Sequence, residues 1–182
     1  MRTHRWVPIT DPDPKACGMP QDYNASDEFK GKKVVLVSVP GAFTPGCQSY
    51  HIPPYLQNLD KLLGKGVDLV VVIASNDGWV MNAWGKINGV KGDDKIMFMS
   101  DSKSHFSHNH GWDAGMGDRN GRWAMVIEKD GKVSYAENEK NPREVTVSCL
   151  AQDSIPIPLL TSVGLWRRGC SFQVVAVGDM KW

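Results

Sequence analysis

The sequence predicts an α/β domain with a central mixed β-sheet flanked by helices. Three observations carry that prediction. Two runs, Val34–Val39 and Val67–Ala74, are apolar at nearly every position, as strands covered on both faces are. After each run the apolar residues switch to helical spacing, at Leu56, Leu59, Leu62 and Leu63 and again at Val80, Met81, Trp84 and Ile87. Finally, Lys129-Asp130-Gly131 joins two apolar runs, Trp123–Glu128 and Lys132–Ala136, in the manner of a hairpin. Strand, helix, strand, helix, strand and hairpin make a sheet of mixed direction whose parallel part crosses over right-handedly.

Taken in order, residues 1–26 are rich in proline and polar groups around Asp11-Pro12-Asp13-Pro14, and predict an extended arm rather than a packed element. Cys17 lies in that arm and is expected to be accessible. Asn24 to Phe29 predict a short helical turn before the first strand, at about 33–39. The following helix contains Pro53-Pro54, so a first turn over Thr44–Tyr50 and a kink or restart near Pro53 are expected. Gly64-Lys65-Gly66 suit the end of that helix. Ser75-Asn76-Asp77 supply cap candidates for the next one. Ile96–Met99 predicts a third strand, and Ser102–Asn109 a surface helical turn. Beyond Val147 the pattern is lost: Pro156 and Pro158 cannot continue a helix, and residues 152–182 are expected to attach loosely to a domain of residues 1–151.

At 182 residues the chain suits one domain with a full core. A net charge of +1 without basic or acidic blocks points away from nucleic acid and from disorder. No stretch reaches the ~20 apolar residues of a membrane span. Met1–Pro8 contain no secretory apolar core, so a cytoplasmic location is expected. The four cysteines, Cys17, Cys47, Cys149 and Cys170, include no C-x-x-C pair. That argues against a zinc ribbon and a dithiol oxidoreductase, and reads better as free or reactive thiols. His105, His108 and His110 cluster with Asp101, but histidines cluster by chance and no metal is assigned. Trp79, Trp84, Trp112 and Trp123 read as core or interface.

The chemistry concentrates in Pro40-Gly41-Ala42-Phe43-Thr44-Pro45-Gly46-Cys47. Cys47 falls where a strand has ended and a helix begins, near unpaired backbone N–H groups and the positive end of the helix dipole. That setting favours a thiolate, the nucleophilic form of cysteine.

This segment resembles the active-site stretch of the peroxiredoxins, in particular the type II group that includes peroxiredoxin five and fungal relatives. The resemblance extends to Asn76-Asp77, Ala83-Trp84-Gly85 and Arg122–Val126, over about residues 6–148. It implies a thioredoxin-like fold and an antioxidant thiol peroxidase that reduces hydrogen peroxide and alkyl hydroperoxides through a cysteine sulfenic acid. By the same resemblance Cys47 is the peroxidatic nucleophile and Thr44 offers its hydroxyl to the peroxide. Backbone N–H groups of Gly46 and Cys47 assist, Arg122 brings a fixed positive charge with Arg119 as its competitor, and Pro40 shields the sulfur from water. Cys17 and Cys149 are the candidates for a resolving cysteine, with Cys17 favoured, giving a disulfide. No cofactor is implied beyond an external thiol reductant, thioredoxin or glutaredoxin with glutathione, and a homodimer is expected. The alternative is a sensor or scaffold that relays oxidation from Cys47 to a partner without turnover. The tail departs from the group, whose members usually end in an amphipathic helix.

Overall fold

The computed structural model describes residues 4–92, 95–141 and 143–146. Cys149, Cys170 and the tail 152–182 lie outside the described residues. Seven described strands form one mixed sheet. They are β1 (His4–Trp6), β2 (Gln21–Tyr23), β3 (Val34–Ser38), β4 (Leu69–Ala74), β5 (Ile96–Ser100), β6 (Trp123–Ile127) and β7 (Val133–Asn138), in the spatial order β2-β1-β5-β4-β3-β6-β7. β3, β4 and β5 run parallel, Val37 facing Val72 and Val72 facing Phe98. β6 returns antiparallel beside β3, with Val37 opposite Ala124.

Side chains alternate across a strand, so the β-branched runs divide between two cores. Val35, Val37, Val39, Val70 and Val72 face Ile52, Tyr55, Leu62, Met81 and Trp84. Those residues come from α2 (Ile52–Gln57), α3 (Leu59–Gly64) and α4 (Gly78–Ile87). Val34, Leu36, Val71, Ile73 and Met125 face the other way, toward Ala25 and Phe29 around α1 (Ala25–Glu28), Phe106 of α5 (His105–Asn109), and Trp123. Every residue of β3, β4 and β6 is buried, which is why these strands carry no polar–apolar alternation. Truncating Leu36 to alanine here would cost about 2–5 kcal/mol.

The N-terminal arm corrects the sequence prediction. β1 adds to the sheet beside β5 and β2 pairs with β1, so the segment is packed at both ends and loop only between. Strands of three residues are too short to show a period, and the prolines lie in the connecting loop. That loop is tied down as well: the buried Lys86 ammonium donates to the carbonyls of Asp13 at 3.1 Å and Ala16 at 2.9 Å, and the Trp79 indole donates to Gly18 O at 3.0 Å. Cys17 is exposed, as expected.

The helix after β3 also differs in detail. Its first turn, Cys47–His51, is widened to π geometry, with the Ile52 N–H reaching Cys47 O five residues back. Pro53 and Pro54 have no N–H to give to residues 49 and 50, and their rings press on those carbonyls. The ladder therefore opens one turn earlier and restarts as α at Ile52, next to Pro53, as the two prolines predict. A second break, at Asn58, separates α2 from α3. In α4, Met81 and Trp84 are buried, but Ile87 is 56% exposed, because six positions from Met81 is about 120° away around the helix. No helix among the described residues is long and apolar enough to cross a membrane.

Candidate active site

β3 carries the chain to the site and the loop after it is pinned from three directions. Asn76, at the end of β4, accepts the Ala42 N–H on its Oδ1 at 2.8 Å. The Thr44 hydroxyl donates to Gly41 O at 2.9 Å. Phe43 is held at φ 58°, a conformation bulky residues rarely adopt, with its ring half exposed and 6.2 Å from that of Trp84. Asp77, the residue after Asn76, caps α4 by accepting from Val80 N. Of the three cap candidates, one caps the helix and its neighbour holds the loop.

Cys47 enters directly after Pro45 and Gly46, on the first turn. The first intrahelical bond is Gln48 N–H to Thr44 O at 2.8 Å. The N–H groups of Gly46 and Cys47 precede it and have no partner within the helix. The side chain of Cys47 is fully buried, packed with the Val35–Val39 face of the sheet. Its neighbours Thr44 and Gly46 are only half-buried. Pro40 is buried in the same loop. The Thr44 proton goes to Gly41 O, leaving its lone pairs toward other donors.

Arg122 arrives from the far side of the sequence, one residue before β6. Ser38 at the end of β3 donates to Gly121 O at 3.0 Å, and Asn120 donates to Ser38 Oγ at 3.2 Å and to Asp101 Oδ2 at 3.1 Å. Burial pushes the Asp101 carboxyl above the usual carboxylate range and presses neighbouring His4 below the usual imidazole value. This buried network locks residues 120–122 to β3. A Cβ on Gly121 would lie 1.8 Å from Trp112 O, so no other residue fits there. The guanidinium of Arg122 is buried: Nη1 is 2.7 Å from His51 Nδ1, and Nη2 would be 3.3 Å from a Cβ on Gly46. Arg119 is exposed and reaches the other end of the loop, where its Nη1 would be 3.2 Å from a Cβ on Gly41. The structure thus brings Pro40, Thr44, Gly46, Cys47 and Arg122 together, and leaves Cys17 on the surface loop beside α4.

His51 is the residue the sequence reading misses. Burial, and then the charge of Arg122, press its pKa down to about 3, so the ring is neutral and accepts from the guanidinium. The available signal was its spacing, four residues after Cys47 on one helical face. Gln48 was equally silent: it accepts from the Trp84 indole and donates to Asn88 Oδ1 at 2.9 Å, joining the Cys47 turn to α4.

The histidine cluster is dispersed by its contacts. His110 stacks on Phe106 with centroids 4.4 Å apart and meets Phe106 O through Nδ1 at 2.9 Å, while His108 turns to Asp113 at 3.7 Å. Among the described residues no three His, Cys, Asp or Glu side chains gather in a metal-binding arrangement.

A model of the redoxin family matches residues 7–153. The chain is 52% identical over 133 residues to peroxiredoxin Pen c 3 of Penicillium citrinum, covering 72% of this chain and 78% of the relative. It is 54% identical over 120 residues to peroxiredoxin AHP1 of Chaetomium thermophilum, covering 66% and 67%. Among solved structures it is similar to reduced Prx3 from Vibrio vulnificus in complex with H2O2, with a TM-score of 0.69, 32% identity and coverage of 85% and 94%. It is also similar to peroxiredoxin 5 from Alvinella pompejana, with a TM-score of 0.61, 30% identity and coverage of 85% and 93%.

Proposed function

The chain belongs to the redoxin family and is a peroxiredoxin, a thiol-dependent peroxidase with a thioredoxin-like fold; from that premise we propose how its own residues divide the work. Cys47 is the nucleophile. Its sulfur donates an electron pair to the nearer oxygen of the hydroperoxide and the O–O bond breaks. The sulfur becomes sulfenic acid, and the other oxygen leaves with a proton as water or an alcohol. The leaving oxygen gathers negative charge, and Arg122 faces it with the unpartnered N–H groups of Gly46 and Cys47. Thr44 orients the incoming peroxide through its lone pairs, and Pro40 excludes water from the oxidised sulfur.

The observation that carries this assignment is the buried Arg122 guanidinium with Nη2 against Gly46, one residue from Cys47. Stopped-flow reduction of hydrogen peroxide tests it, with the mass of the Cys47 peptide followed after one equivalent. Wild type gains one oxygen at Cys47 and Cys47→Ser does not reduce peroxide. Undiminished turnover in Cys47→Ser overturns the reading.

Cys17 is the resolving thiol in our reading: it attacks the sulfenic sulfur of a neighbouring subunit, water leaves, and an external thiol, thioredoxin or glutaredoxin with glutathione, reopens the disulfide. Its exposure on a surface loop leaves it open to a neighbouring subunit. A homodimer follows, and exposed Phe43 and Tyr50, on either side of Cys47, offer apolar surface for it. A reducing compartment, the cytoplasm, suits two unpaired thiols. Peroxide-treated protein on non-reducing gels should show a linked dimer that disappears in Cys17→Ser and persists in Cys149→Ser. The reverse pattern assigns the role to Cys149.

A further inference from the structure

We propose that His51 is a positioning residue for catalysis: its Nδ1 accepts from Arg122 Nη1 and thereby turns the opposite nitrogen, Nη2, onto the Gly46–Cys47 turn. The inference rests on the peroxidase reading of Cys47 and Arg122.

The geometry is specific. A guanidinium is planar and has five N–H donors and no acceptor, so holding one edge sets the direction of the other. The held edge is Nη1, 2.7 Å from His51 Nδ1, and the directed edge is Nη2, against Gly46. Glycine at 46 leaves the space, since a Cβ there would come within 3.3 Å of Nη2. The wide first turn places His51 and Cys47 on the same short stretch, so one element carries both the sulfur and the acceptor that aims the charge at it.

The acceptor is neutral, and that matters. A carboxylate at position 51 would hold the arginine more tightly but would cancel the charge the peroxide needs. A neutral imidazole orients the guanidinium and leaves its charge whole. Burial and the adjacent positive charge keep the ring unprotonated, so it accepts throughout the neutral range. Because Nδ1 accepts, the ring proton sits on Nε2. That nitrogen is buried and has no hydrogen-bond partner, a state folded proteins avoid. An apolar side chain of similar volume would remove this cost, so a histidine here makes sense for the bond on its other nitrogen. The Tyr55 ring, 6.1 Å away, packs against the imidazole.

Three variants separate aiming from packing. His51→Leu removes the acceptor, His51→Asn keeps an oxygen near the Nδ1 position, and His51→Gln moves it toward the Nε2 position. Two readouts are followed in reduced protein: the second-order rate with hydrogen peroxide, and the pH midpoint for alkylation of the Cys47 peptide by iodoacetamide. His51→Leu is expected to slow peroxide reduction about ten- to a hundredfold and to raise the alkylation midpoint. Asn restores most of both, Gln little of either. In an Arg122→Gln background, His51→Leu should add nothing further. The proposal is overturned by unchanged rate and midpoint in His51→Leu, by equal impairment of Asn and Gln, or by a full Leu effect without Arg122. If His51→Leu does not fold, the contrast between Asn and Gln decides alone. A wild type that fails to turn over peroxide would refute the peroxidase reading separately, because the alkylation midpoint needs no turnover.

Discussion

The two described cysteines sit in opposite surroundings. Cys17 is exposed, on a loop between the three-residue strands β1 and β2, with its sulfur 3.8 Å from the Lys15 carbonyl. Cys47 is fully buried, yet a guanidinium lies against the preceding residue, and the N–H groups that open its turn have no partner within the helix. Exposure alone would choose Cys17 as the reactive thiol. The charges and donors choose Cys47, because reactivity follows what stabilises the sulfur anion and the leaving oxygen rather than simple access. The same contrast separates the two chemical steps: a small peroxide can be met in a closed pocket, whereas a bulky thiol has to meet the sulfur outside one.

The largest effect should come from removing what distinguishes the buried site. Arg122→Gln is expected to lower the peroxide rate constant by about two to three orders of magnitude, bringing Cys47 toward the reactivity of Cys17 in stopped-flow assays. Next is Thr44→Val, which loses the bond to Gly41 O and loosens the loop; about a tenfold loss is expected, read as a slower rate with hydrogen peroxide. A rate within twofold of wild type would show that the loop is held by Asn76 without it.

Acid should weaken the buried site. The folded-state pKa of His51, about 3, lies below its ordinary 6.5. Between those values the unfolded chain binds the proton and the folded one does not. The contribution of His51 to stability is therefore whole above pH 6.5 and lost progressively as pH falls toward 3. Thermal melts from pH 7 to 4 should show a falling Tm that His51→Asn flattens; equal slopes in both proteins would assign the acid sensitivity elsewhere.

The smallest effect on chemistry belongs to the other side of the comparison. Lys86→Met removes the donors to Asp13 O and Ala16 O and should free the Cys17 loop. Amide exchange around residues 13–18 should rise and tryptic cleavage after Lys15 should quicken, with the first-turnover peroxide rate unchanged within about twofold. A slowed first turnover would mean that the arm supports the Cys47 site directly.

Much of this was legible in the chain. β3, β4, β5 and β6 appear as apolar runs because strands covered on both faces tolerate little else. The segment from Pro40 to Cys47 could be read as a nucleophile at a strand-to-helix junction before any contact was known. The arm could not be read this way, since β1 and β2 are three residues each and only become strands by pairing with β5 and with each other. Nor could the burial of Cys47, which depends on how its turn packs against the Val35–Val39 face of the sheet. Ile87 shows the converse: the apolar spacing held, but the face it belonged to was not the one that met the sheet.

By itself, then, the sequence determined the runs that become β3, β4, β5 and β6, the candidate nucleophile and the residues available to assist. Those follow from local chemistry: a thiol after a strand, an N–H without a partner, a period of two or of 3.6. The tertiary structure alone decided that Cys47 is sealed, that Thr44 gives its proton to Gly41, and that Arg122 is aimed by His51. The last depends on groups 71 residues apart meeting at 2.7 Å. No periodicity encodes the direction of a guanidinium: the packing of β6 against β3 and the network that locks Gly121 bring Arg122 to the turn, and His51 is there to meet it.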